Sequence, residues 1–228
     1  MKDLVVSDAA IPRTTGRRWV AWLLLALAAG AMMWAAREAI LGEVGELLIA
    51  EDAVQRVDVM VISKASVAAD SLEVGRLYGE GYGHEIIMGA WRADNAVVPA
   101  IRELGVPFLD ESDLATEILR RSGVPDTAVR VLPANVDGTE SEIAAVAAYA
   151  RERQPASLLF VTARSHTARA RSLLRDALPT TTRLLVRAPR TDSFRGDAWW
   201  RSRDDSREVC TEYLRWFNTL VLRDPWGR

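Results

Sequence analysis

The chain has 228 residues, a formal net charge of −2, two histidines and one cysteine. That length suffices for one domain with its own core beside a membrane anchor, and the near-neutral balance gives no basic field for nucleic acid. Cys210 alone excludes a disulfide within the chain, and His84 and His166 alone exclude a multi-histidine metal site.

Residues 19–36 carry no charge. At the helical rise they cover about 27 Å, close to the hydrocarbon thickness of a bilayer. Trp19, Trp22 and Trp34 stand near the ends of the run, as interfacial anchors do. Arg13, Arg17 and Arg18 precede it; Arg37 follows, and then Glu38, Glu43, Glu46, Glu51 and Asp52. This asymmetry predicts a cytoplasmic segment 1–18 and a transmembrane signal anchor 19–36 in the inner (cytoplasmic) membrane, with the remainder facing the periplasm or exterior. A cleaved signal peptide is the competing reading, against which the run is long and its small residues Ala29, Gly30 and Ala31 lie mid-run. Residues 37–50 keep helical spacing through Ile40, Leu41, Val44, Leu47 and Leu48 and are expected as a stalk, with the globular domain over 51–228.

Residues 57–63 read as a first buried strand. A helix follows over 68–78, ended by Gly79 and Gly81. Residues 84–88 form a second strand, opened by His84. Gly89 after it permits close backbone approach, and Trp91 and Arg92 are candidates to line a pocket. Helices over 94–104 and 113–122 each stop at a Gly-Val-Pro sequence. Residues 129–132 are a third strand. Thr139 and Glu142 fit a capping box that opens a helix to Arg153. Residues 158–162 are a fourth, wholly apolar strand, followed by a helix over 166–175. Residues 182–188 are a fifth strand, 191–200 a polar loop, and 202–222 a long helix with Val209, Tyr213, Trp216, Phe217, Leu220 and Val221 at helical spacing. Alternating strands and helices imply an α/β fold with a mainly parallel five-stranded sheet covered on both faces.

Open sheets of this kind bind ligands beyond the carboxyl ends of their strands. His166 and Arg169 share a helix face there, in a first turn where anions bind. Arg169 suits a phosphate or carboxylate; His166, next to Ser165, suits proton transfer or a hydrogen bond. After the third strand, Asn135 can orient a ligand, Thr139 can cap or contact it, and Glu140 can act as base or pair with an arginine. After the first, Ser63 and Lys64 offer a hydroxyl and one of the chain's two lysines. Trp199, beside Trp200, suits stacking on a sugar or base ring. Each has a structural alternative: a turn at Asn135, a cap at Thr139, a solvated Lys64, and packing of one tryptophan under the last helix. His84 reads as structural, and Glu212 as a structural salt bridge. Neither G-x-G-x-x-G nor a Walker sequence is present, and the cofactor stays open.

Three stretches together carry a family resemblance. Thr139-Glu140-Ser141-Glu142 looks like an N-T-x-E-N element, 162–170 (Thr-Ala-Arg-Ser-His-Thr-Ala-Arg-Ala) like T-S-x-x-H-x-x-R-A, and Trp199-Trp200 with Glu212-Tyr213 like a Trp-Trp pair and an E-Y helix. In these the chain resembles the YdcF-like proteins, which include the envelope proteins SanA and ElyC. The likeness spans about 58–220. The glycines the family carries after strand one are replaced by Ser63-Lys64-Ala65, the pair after strand two is reduced to Gly89-Ala90, and the Asn before Thr139 is Gly138. The resemblance implies a Rossmann-like three-layer domain and a role at the cell envelope.

Two readings follow. One is an envelope enzyme acting on a phosphate-, nucleotide- or glycan-lipid-type ligand in envelope or surface-polysaccharide biogenesis. In it Arg169 and Lys64 hold the anion, and His166 and Glu140 do acid–base work. The other is a non-catalytic binding or scaffold protein whose partners are envelope assembly proteins. His166, Arg169, Glu140 and Lys64 around one pocket favour the first; Arg164 or a tryptophan plugging that pocket favours the second.

Overall fold

The structure, a computed structural model, describes residues 15–91, 97–135 and 138–221. It divides into two units, Met1–Leu41 and Gly42–Arg228. Helix α1, Thr15–Glu46, begins in the first. It is long and apolar enough to cross a membrane, and its apolar stretch is unburied within the protein, as the uncharged run predicts. Arg37 bends back over the Trp34 ring at 4.3 Å and donates to the Trp34 carbonyl, keeping its charge close to an aromatic at the end of the run.

The second unit is α/β. Its strands are β1 Val59–Ile62, β2 Glu85–Ala90, β3 Val129–Asn135, β4 Ser157–Val161 and β5 Arg183–Arg187. Its helices are α2 Val67–Gly79, α3 Val97–Glu103, α4 Glu111–Arg121, α5 Thr139–Arg153, α6 Thr167–Ala177 and α7 Arg203–Val221. All strand pairs are parallel, in the order β3-β2-β1-β4-β5. The chain winds outward from β1 to β3, then returns to pair β4 with β1 and continues to β5. The reversal falls between β1 and β4, and that crevice is where an open sheet leaves room for a ligand.

Strand side chains alternate between two cores. Met60 and Ile62 pack with Val74 and Leu77 of α2 and with Ala115 and Leu119 of α4. Val59 and Val61 pack with Ile143 and Val146 of α5 and with Ala170 and Leu174 of α6. With both faces covered, β1 and β4 are buried along their whole lengths, which is why they read as unbroken apolar runs. At the other end of these strands Asp58 and Ser157 clamp them: the Ser157 amide and hydroxyl donate to Asp58 Oδ2, and the Asp58 amide donates to Ser157 Oγ.

Several expectations are corrected. The domain starts near Gly42 rather than Glu51, and residues 42–50 are not a free stalk. Leu48 is 1% exposed and packs with Phe194 and Val209. Ala168 donates its amide to the Leu48 carbonyl, Ala50 donates to Thr167 Oγ1, and Asp52 pairs its backbone with Val186. Trp91 is fully buried in the core shared by α2 and α4, away from the cleft described below, and its indole N–H has no partner among the described residues. Arg92 lies outside the described residues. His84 is exposed just ahead of β2. The capping box on α5 is built by Ser141 with Gly138, since Ser141 Oγ exchanges hydrogen bonds with the Gly138 amide and carbonyl. That frees Glu142 for another role. On α7, Val209 is buried as the spacing predicts, but Phe217 is 61% exposed.

Gly45 marks the closest approach. A Cβ there would lie 2.2 Å from the Gly196 carbonyl oxygen and 2.6 Å from Trp199 Cδ1, and the backbone oxygen has no rotamer to yield. Gly45→Ala is therefore expected to destabilise the domain by about 1–3 kcal/mol, read as a lower melting temperature. An unchanged melt would show that 42–50 does not pack as described.

Candidate functional site

A cleft of about 510 Å³ opens beyond the carboxyl ends of β1 and β4. Three chain segments that start helices converge on it. The first is the 3-10 turn Lys64–Ser66 that leads into α2, the second is the start of α5 at Gly138 and Thr139, and the third is the 3-10 turn Arg164–His166 that leads into α6. Each follows the carboxyl end of a strand, β1, β3 and β4 in turn, so all three lie at the same edge of the sheet. The fourth wall is α7, which contributes Arg207, Glu208, Thr211, Glu212 and Arg215.

The centre of the site is a buried charge cluster. Arg169 is 4% exposed and donates through Nε to Glu212 Oε2 at 2.8 Å, with a longer contact from Nη2 to Oε1. His166 Nδ1 lies 3.2 Å from the same Oε2. An ionised carboxylate accepts, so Nδ1 carries the proton and Nε2 is left as an acceptor. Arg215 reaches Glu212 Oε1 at 2.6 Å from the solvent side. Burial alone would raise the Glu212 pKa, but hydrogen bonds from His166 and Arg169 outweigh it and hold the carboxyl far below its ordinary range. His166 moves down from 6.5, because burial and the Arg169 charge outweigh Glu212. At neutral pH it is a neutral imidazole beside an ion pair.

The second cluster lies across the cleft. Glu142 Oε1 accepts from the Lys64 amide at 2.8 Å, and Oε2 accepts from the Ser63 hydroxyl at 3.2 Å. Ser63 Oγ also accepts from the Ala65 amide. Glu142 is 3% exposed, and burial pushes its pKa up to about 7, against the pull of the Lys64 amide and the Ser63 hydroxyl. Between α6 and α7, Ser165 donates to Glu208 Oε2 at 2.9 Å, and burial raises Glu208 as well.

The cleft thus brings together Ser63, Lys64, Thr139, Ser165, His166 and Arg169 among the residues singled out from sequence. Thr139 accepts a long contact from Arg169 Nη2 at 3.4 Å. Glu140 is exposed and lies outside the lining, because one residue along a helix turns the side chain by about 100°. The carboxylate that enters the cleft is Glu142, two positions on. The Asn135 side chain lies outside the described residues; its backbone ends β3 opposite Ala90. Trp199 also lies off the cleft. It packs against the small core of Leu48, Phe194 and Val209, edge-on to Trp200 with ring centroids 6.2 Å apart. Arg164 does not plug the cleft: it turns away to Glu51 and the Phe194 carbonyl.

No family model, curated protein or solved structure matches the chain.

On the polar side of α7 the sequence pointed only to Glu212, as a structural salt bridge, and the structure pairs it with Arg169; Glu208, Thr211 and Arg215 were missed. Glu208, Thr211, Glu212 and Arg215 repeat at three- and four-residue spacing, which puts them on one helical face opposite its apolar exterior. That stripe was the available signal. Among the described residues no cluster of three or more His, Cys, Asp or Glu could hold a metal ion.

The two carboxylates have opposite linkage to stability. Glu212, depressed in the fold, stabilises above the unfolded carboxyl pKa and loses that contribution as pH falls below about 4. Glu142, raised to about 7, favours the fold when protonated, so its contribution is complete below about 4 and lost as pH rises to 7. Glu142→Gln should therefore be more stable than wild type by up to about 3 kcal/mol at pH 8, with the gap closing towards pH 4. Glu212→Gln should lose about 3 kcal/mol at pH 7, because Arg169 is left buried without its counter-charge. Chemical unfolding of the three proteins at pH 4 and pH 8 checks both signs.

Proposed function

We propose that this chain is a membrane-anchored, YdcF-like protein of the cell envelope whose cleft binds a small anionic ligand. A phosphate-bearing molecule of the nucleotide or glycan-lipid type suits that chemistry. One observation carries the reading: three helix starts and the Arg169 guanidinium surround one cleft at the sheet's point of reversal. The positive ends of helix dipoles favour negative charge, and a buried guanidinium held in fixed geometry recognises planar or tetrahedral oxyanions. Lys64, Arg207 and Arg215 add positive charge to the lining, so an anion meets cations on both walls. The helix α1 supports attachment to a membrane, and the arginines ahead of residues 19–36 support an external domain.

A catalytic version of this reading is favoured by one further observation. Glu142 titrates near neutrality in the same cleft as a neutral His166, and groups with pKa values set apart in this way suit acid–base chemistry. Glu142 then takes the part that the sequence assigned to Glu140. The scaffold alternative draws no support from the cleft, which neither Arg164 nor a tryptophan fills.

Titration of the protein with inorganic phosphate, sulfate and nucleoside phosphates, followed by calorimetry, tests the binding reading. At least one of these anions should bind and compete with the others. Arg169→Lys keeps the charge but loses the planar fork, and should weaken binding about tenfold. Arg175→Ala, on the exposed side of α6, should leave it unchanged. Failure of every anion to bind a folded protein would sink the proposal.

A further inference from the structure

The donors at the β1–α2 connection are already taken. In doubly wound sheets the amides that follow the first strand face a bound phosphate. Here the Lys64 amide and the Ser63 hydroxyl both donate to Glu142, a side chain that α5 sends across the floor of the cleft. The Ser63 oxygen is fixed in turn by the Ala65 amide. These partners of Glu142 are neutral groups. The guanidiniums of Arg169 and Arg215 bond Glu212 and not Glu142.

We infer that Glu142 is a built-in anion occupying a phosphate-type cradle, and that an anionic ligand enters the cleft together with one proton, which Glu142 takes up. The inference rests on the anion-binding reading of the cleft. A sulfate or phosphate dianion and an ionised Glu142 would share one small cavity, and a like charge favours the neutral form of a carboxyl group. Burial has already brought this carboxyl to the edge of neutrality, so little added repulsion is required. The proton comes from solvent and bonds to one carboxylate oxygen; no other bond forms or breaks. The neutral acid keeps a carbonyl oxygen for the Lys64 amide, and its O–H can donate to Ser63 Oγ.

The charged neighbours of Glu142 are accounted for. Lys64, in the loop after β1, favours the ionised form. Asp70 of α2 is wholly buried, and burial drives its own pKa well up, so it adds little negative charge. From the turn before α6 comes neutral His166 and from α6 the paired Arg169; from α7 come Arg207, Arg215, ionised Glu212 and Glu208. His166 and Glu208 are the two rival proton acceptors.

The test is sulfate binding to the full chain in non-ionic detergent, because sulfate itself exchanges no proton near neutrality. Calorimetry at pH 7.5 in two buffers of different ionisation enthalpy counts the protons. Uptake of roughly 0.7 proton per sulfate is expected, and the sulfate Kd should rise roughly tenfold between pH 7 and pH 9. Glu142→Gln should abolish both the uptake and the slope. If that variant does not fold, uptake retained in both His166→Asn and Glu208→Gln supports the assignment, and its loss in either overturns it. A flat wild-type profile, or a slope that persists in Glu142→Gln, also overturns it. Sulfate binding without pH dependence would remove only this inference; no sulfate binding at any pH would remove the cleft reading with it.

Discussion

One carboxylate holds the site together. Glu212 stands between Arg169 and His166, two groups that α6 and the turn leading into it carry into the interior and that would otherwise lie buried beside each other unmatched. At an effective dielectric of 20, opposite charges 4 Å apart attract by about 4 kcal/mol, enough to offset much of the desolvation that burial imposes. The ion pair also joins α6 to α7. With the Ser165–Glu208 hydrogen bond it fixes the last helix as the fourth wall of the cleft.

The two carboxylates of the cleft differ in environment, and so in chemistry. Glu212 has charged donors and stays ionised; Glu142 has neutral donors and sits near its midpoint at neutral pH. Burial is alike for both at 3% and 4% exposure of the residue or side chain, so partners decide the outcome. A cleft walled on one side by a fixed ion pair and on the other by a titratable acid has one rigid pole and one adjustable pole. The rigid pole suits recognition, and the adjustable pole suits proton exchange.

Much of this was legible in the sequence, and the limits have physical reasons. The strands announced themselves because burial on both faces demands unbroken apolar runs, as in Leu158-Leu159-Phe160-Val161. His166 and Arg169 were found because a strand followed at once by polar residues and a helix has few other uses. Glu140 was chosen over Glu142 because a capping pattern explained Glu142 locally, and local patterns do not reveal a bond to Ser63 across 79 positions. The α7 residues were hidden by the apolar repeat on the same helix. Trp199 stands off the cleft because its partners, Leu48 among them, come from a segment that the composition marked as stalk.

That segment has a consequence for where the chain can be cut without damage to the domain. Residues 42–52 are tied to Thr167, Arg171 and Val186 and supply Leu48 to a core. A protease that clips after Ala50 would release a fragment with an uncovered apolar patch at Phe194 and Val209 and with the Ala168 amide deprived of its acceptor. Release of an intact domain requires a cut on the amino-terminal side of Gly42, where α1 offers an unbroken helix that proteases enter poorly. The packing of 42–52 therefore sets the amino-terminal limit of an intact domain near Gly42.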